Sequence, residues 1–200
     1  STKFTKTFVS RKSEELLRGL LELEVPEIYE EIIEIRNIAR EAGSRSKVAV
    51  YSNDENLDVK GACIGRNGMR IQNIIDELCG EKIDIVLWNE DITEFVKNAL
   101  NPAEVLSVEI IEEGEENMKV ARVLVAENQL SLAIGKKGQN SRLAARLCGV
   151  KIDIHTEPSE VEENREFQEK SAFGDSLDEI ESIEKSDNLQ DDYEVEESAF

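Results

Sequence analysis

The chain has 200 residues and a net charge of -20, from 44 acidic and 24 basic side chains, with three Cys and one His. That length holds one or two small domains. No apolar run comes near the roughly 20 residues that cross a bilayer and no signal-peptide pattern is seen, so neither a membrane span nor a signal peptide is expected.

The first residue is not Met, and residues 1–9 read as the remnant of a strand, so a piece of a longer protein is expected. Ser13 stands where it can cap a helix whose first turn holds Glu14 and Glu15, favourable against the helix dipole. Leu16, Leu17, Leu20 and Leu21 then recur at helical spacing. Pro26 suits the first turn of a short helix over 27–30. Residues 32–41 alternate and are rich in β-branched side chains, 42–45 make a turn, and 46–53 give the second strand of a hairpin. A short helix is expected over 57–64 and, past Gly65-Arg66-Asn67-Gly68, a longer one over 69–78 with Ile71, Ile74, Ile75 and Leu78 on its apolar face. Gly80 ends it at a left-handed cap, and 82–88 is a third strand.

The same order then returns. A helix over 92–100 stops ahead of Pro102, because a residue before proline resists helix. Strands follow at 105–112 and 118–125, then a helix at 128–134, the loop Gly135-Lys136-Lys137-Gly138, a helix at 139–147 and a strand at 150–155. The chain therefore reads α-β-β-α-α-β twice, an α+β arrangement. Residues 157–200 differ in kind: 17 acidic and 3 basic side chains give a net of -14 there, against -6 for the rest. Such a stretch cannot bury enough apolar surface to offset its ordering entropy, and a disordered acidic tail is expected.

A lone GxxG is a common accident. Here Ile64-Gly65-Arg66-Asn67-Gly68 leads into Leu78-Cys79-Gly80-Glu81-Lys82-Ile83-Asp84-Ile85, and Ile134-Gly135-Lys136-Lys137-Gly138 leads into Leu147-Cys148-Gly149-Val150-Lys151-Ile152-Asp153-Ile154. Two matched frames make this an internal duplication. Modules this small sit near the lower limit for an independent core, so the two are expected to pack together. Between glycine and leucine the first copy is one residue longer, a difference expected to be absorbed just after the glycines, since inside a helix it would rotate the buried face.

Phosphate approaches a backbone closely where Cβ is absent, which Gly65, Gly68, Gly135 and Gly138 allow. Each loop opens into a helix whose free N–H groups attract anions. Arg66, Asn67, Lys136 and Lys137 point outward and supply charge. Arg70, Gln139, Arg142 and Arg146 flank the loops, either reaching phosphate or lying on solvated helix surface. Arg36, Arg40, Arg45 and Lys47 make the first hairpin basic, as an extension of that track or as a wet face. A groove lined by apolar helix and strand beside such a loop is the KH mode of holding about four nucleotides of single strand. Neither loop fits a P-loop. Aromatics at 5% are too few for stacking-dominated binding. Trp88 reads as a wedge between modules. The three cysteines lack a CxxC; Cys79 and Cys148 read as small buried hydrophobes in a reduced, cytoplasmic setting. The single His155 has no partner at ligand spacing for zinc. No cofactor, metal cluster, paired carboxylates or nucleophile arrangement is indicated, so no enzyme is expected.

At this point a family resemblance emerges. Residues 23–29, 38–45 (Ile38-Ala39-Arg40-Glu41-Ala42-Gly43-Ser44-Arg45), 48–52, 61–65, 80–88 and 128–140 resemble the NusA family of bacterial transcription termination/antitermination factors, over about residues 9–156. The resemblance implies two tandem type II KH domains packed as one unit, at 26–89 and 90–156, preceded over 1–25 by the end of an S1 domain and a linker helix, and followed by the tail at 157–200. It implies no catalysis. It also implies binding of nascent single-stranded RNA, through Ile64, Gly65, Arg66, Asn67, Gly68 and Arg70 and through Ile134, Gly135, Lys136, Lys137, Gly138, Gln139 and Arg142. RNA polymerase and other transcription elongation factors are the implied partners of a protein expected to be a monomer and to act on pausing, termination and antitermination. The tail is too short and too weakly patterned for the acidic repeats of some relatives, so their autoinhibition does not carry over. Its charge could still compete with RNA for the loops. The alternative is a KH-fold scaffold recruiting protein partners through that tail.

Overall fold

The structure, a computed structural model, describes residues 9–113 and 118–156. The expected strand remnant before Val9 and the expected disordered tail lie outside the described residues. Within them the element order is α1 (Glu14–Glu24), α2 (Pro26–Tyr29), β1 (Glu34–Glu41), β2 (Arg45–Tyr51), α3 (Val59–Ile64), α4 (Met69–Glu77), β3 (Lys82–Leu87), α5 (Ile92–Ala99), β4 (Val105–Glu113), β5 (Met118–Val125), α6 (Glu127–Ile134), α7 (Gln139–Cys148) and β6 (Lys151–Thr156). Each repeat makes a three-stranded sheet in sequence order. Its first two strands are antiparallel and its third runs parallel to the second.

Local chemistry sets the ends. The Ser13 hydroxyl accepts the Glu15 N–H at 3.2 Å and starts α1; Val25, ahead of Pro26, ends it in an extended conformation. Asp58 caps α3 by accepting the Gly61 N–H at 2.9 Å, and Asp91 caps α5 through the Thr93 N–H at 2.9 Å. The helix α1, read from sequence as a linker, buries Leu17 and Leu21 beside Ile38, Val48, Val50, Ile74 and Ile85, inside the core of the first module.

Side chains alternate between the faces of a strand, and the first sheet is covered on both. Ile38, Val48, Val50 and Ile85 face the module's own helices. Ala39, Ala49 and Val86 face the other way, into a core shared with Phe95, Val96, Leu143, Ala144 and Leu147 of the second module. The small alanines let α7 lie close on the sheet. Asn37 Nδ2 donates to the Leu147 carbonyl at 2.6 Å across the same junction. Trp88 sits edge-on to Tyr51 at 5.2 Å and tilted against Phe95 at 6.5 Å, so it touches both modules. The register slips between Ile35 and Asn37 in β1, and Arg36 lies over the rings of Tyr51 and Trp88, 4.9 and 5.1 Å from their centroids.

Double coverage corrects the reading of the basic hairpin. Lys47 is 0% exposed, its ammonium donating to Asp84 Oδ2 at 3.1 Å and the Asn101 carbonyl at 3.0 Å. Arg40 forms a two-pronged pair with Glu81, at 2.8 and 2.9 Å, and also donates to the Ser13 carbonyl. Arg45 pairs with Asp84 at 2.7 Å. Arg40 and Lys47 are thus neither a wet face nor a nucleic-acid track; they are buried ion pairs that tie turn, strand and junction together.

Two further expectations change. The first copy does not absorb its extra residue just after the glycines: α4 and α7 both begin directly past the second glycine. The difference falls at the far end, where Cys79 takes the left-handed conformation (φ 57°) that Gly149 takes (φ 69°) in the second copy, and Gly80 (φ 92°) is the added residue. Placed in that turn, Cys79 is exposed instead of buried, while Cys148, still helical, is half-buried.

Candidate nucleic-acid interface

Both loops adopt one geometry. Gly65 and Gly135 have φ 77°, ψ 170° and φ 74°, ψ 173°, a region essentially reserved for glycine. Asn67 and Lys137 are left-handed at φ 54° and 55°, and Gly68 and Gly138 follow at φ 76° and 72°. The two glycines of a loop do different work. A Cβ on Gly65 would stand 2.6 Å from Arg70 Cγ, and one on Gly135 would stand 2.7 Å from Asn140 Cβ and 2.8 Å from its backbone nitrogen. The first glycine therefore permits the helix beyond to pack back on the loop. A Cβ on Gly68 or Gly138 would meet nothing within 4 Å. Only the second glycine leaves bare backbone facing open space. No side chain caps α4 or α7 at that end.

Arg66, Asn67, Lys136 and Lys137 are exposed, and their side chains pair with none of the described residues. Ile64 and Ile134, directly before the loops, are each 38% exposed, giving a matched apolar spot beside each charged one. The flanking residues differ. Arg70 donates through Nη1 to the Ala62 carbonyl at 2.7 Å and to Glu27 at 2.9 Å, closing the end of α3. Gln139 donates to Glu41 Oε2 and Ser44 Oγ, both at 2.7 Å, and Arg142 Nε donates to Glu41 Oε1 at 2.8 Å. These bonds hold the Glu41 carboxyl below the ordinary carboxylate range, that from Gln139 contributing most.

Sequence reasoning missed two residues. Asn140, the counterpart of Arg70, is buried and donates to the carbonyls of Leu100 and Ala133 at 2.9 and 3.1 Å, closing the end of α6. Its equal distance from Gly135, as Arg70 from Gly65, was the available signal. Glu41 could be found only in the folded protein, because it lies on the other module.

Cys63 and Cys148 are poorly suited as nucleophiles. Burial pushes the Cys63 and Cys148 thiols up to about 12, so neither is a thiolate near neutral pH. His155 Nε2 lies 3.0 Å from Asp153 Oδ2. Among the described residues no group of three or more His, Cys, Asp or Glu could hold a metal ion, and no helix is long and apolar enough to cross a membrane.

Comparison with known proteins matches this double loop. A family profile described as the NusA-like first KH domain matches residues 11–88, and one described as the NusA-like second KH domain matches residues 92–162. The chain belongs to the NusA family, as its tandem KH region. Proteins named transcription termination/antitermination protein NusA are 49% identical in Halalkalibacterium halodurans over 88% of this chain and 45% of the relative. The Bacillus subtilis protein of that name is 50% identical over 83% and 46%, and that of Thermus thermophilus 51% over 86% and 43%. The chain thus spans less than half the length of these relatives. The crystal structure of APE1850 resembles it with a TM-score of 0.52 and 26% identity, over 70% of this chain and 96% of that one.

Proposed function

We propose that this region binds single-stranded RNA without catalysis, each GxxG loop holding sugar–phosphate backbone at its second glycine while bases lie in the adjoining apolar groove. The contacts are Ile64, Gly65, Arg66, Asn67, Gly68 and Arg70 in the first module and Ile134, Gly135, Lys136, Lys137, Gly138, Gln139 and Arg142 in the second. Within the NusA-type protein this region holds nascent RNA, and through it and RNA polymerase acts on pausing, termination and antitermination, as a cytoplasmic monomer. The observation that carries the reading is the repeated pairing of bare glycine backbone with unpaired loop side chains, at Gly68 and Gly138.

Charge reversal tests it. Lys136→Asp with Lys137→Asp should abolish or strongly weaken binding of a short labelled single-stranded RNA in fluorescence anisotropy. Removing two phosphate contacts should flatten the salt dependence, with the log–log slope falling by about 1.4. Arg66→Asp with Asn67→Asp should weaken binding as well. Unaltered RNA affinity in the folded variants defeats the proposal.

A further inference from the structure

We infer that Glu41, on the first module, is a positioning residue for the RNA-binding loop of the second, acting through Arg142. The inference rests on the RNA-binding reading above. The geometry is specific. Both carboxylate oxygens are used by the opening of α7: Oε2 accepts from Gln139, the residue next to Gly138, and Oε1 accepts from Arg142 Nε. Nη2 of the same guanidinium lies 3.5 Å from the Lys137 carbonyl in the middle of the loop. Arg142 therefore spans from the first module to the second loop, anchored at one edge by a carboxylate. Its side chain remains 47% exposed, so the anchored arginine is still accessible to a ligand.

An arginine loses much rotamer freedom when it is ordered on binding, and holding it in place beforehand removes part of that cost. Arg146 lies 4.0 Å from the same carboxylate oxygen, a longer and more exposed pair. The Gln139 amide, shared between Glu41 and Ser44 of the β1–β2 turn, fixes the carboxylate itself. The consequence runs against simple electrostatics. Deleting an acidic group beside a site for a polyanion should strengthen binding if only charge mattered. Glu41 as a positioning group requires the reverse.

The experiment measures RNA affinity of the whole chain by anisotropy for the wild type, Glu41→Gln, Arg142→Ala, the double variant and the Lys136→Asp/Lys137→Asp control, with the Tm of each. Glu41→Gln should weaken binding about three- to tenfold, and should have no further effect once Arg142 is alanine. Arg142→Lys supplies a second arm: it keeps the charge but cannot hold Glu41 and the loop edge together, so it should lose affinity as Glu41→Gln does. Tighter or unchanged binding by Glu41→Gln, an equal loss in the Arg142→Ala background, or full affinity in Arg142→Lys overturns the inference. If the wild type fails to bind RNA, or the loop control binds normally, the underlying RNA-binding reading fails instead.

Discussion

Alanine at the two glycines of the second loop should separate folding from binding. At Gly135 the backbone sits in a region that costs a non-glycine residue about 1–3 kcal/mol. The new Cβ would also stand 2.7 Å from Asn140 Cβ and 2.8 Å from its nitrogen. Asn140 cannot easily yield, because its amide is bonded to Leu100 and Ala133 at 2.9 and 3.1 Å. Relieving such overpacking costs about 1–3 kcal/mol more, so Gly135→Ala should lose about 2–6 kcal/mol, a large part of a typical domain's stability. At Gly138 a Cβ meets nothing within 4 Å, and only the left-handed conformation is penalised, by about 1–2 kcal/mol. Its methyl group would, however, occupy the space through which phosphate approaches. Urea unfolding followed by circular dichroism, alongside RNA anisotropy, reads both. Gly138→Ala should remain folded and bind RNA weakly, whereas Gly135→Ala should be the less stable protein. If Gly135→Ala were the more stable of the two, or Gly138→Ala kept wild-type affinity, the division of labour between the glycines would be wrong.

Replacing Glu81 by Gln should cost about 3–5 kcal/mol in urea unfolding, because it leaves the buried Arg40 without its anion. Burial tends to raise the Glu81 carboxyl, but hydrogen bonds from Arg40, Ser46 and the Gly43 N–H outweigh it and hold it below its ordinary value near 4.5. Its folded value being depressed, the stabilisation is complete above the unfolded value and is lost as pH falls through the folded one; a stability–pH series should show wild type losing ground on Glu81→Gln below about pH 4.5. Ala49→Leu, on the sheet face that packs on α7, should destabilise by about 1–3 kcal/mol through overpacking; thermal unfolding that leaves Tm unchanged would mean the junction is looser than its burial implies. Truncation after Thr156 removes a net charge of -14 and should tighten RNA binding at low salt, an effect that fades as salt screens it; equal affinity at 20 mM and no salt dependence of the difference would remove the tail from the picture.

The repeat, the element order and the loop glycines were all written in local pattern, because helix caps, strand alternation and left-handed glycine positions depend on near neighbours. Family likeness was legible for the same reason, in phrases such as Gly80-Glu81-Lys82-Ile83-Asp84-Ile85. What the chain alone could not disclose was which outward positions become inward. Ala39, Ala49 and Lys47 lie on the sheet face that a single module would leave to solvent, and they are buried only because α5 and α7 of the other module cover it. Arg40 looked like any surface cation until Glu81 was brought against it. Glu41, far from the second loop in sequence, meets Gln139 and Arg142 through the same docking. Local pattern decides what each segment becomes; long-range packing decides which charges are neutralised, and so which cations, Arg66, Lys136 and Lys137, stay free for a ligand.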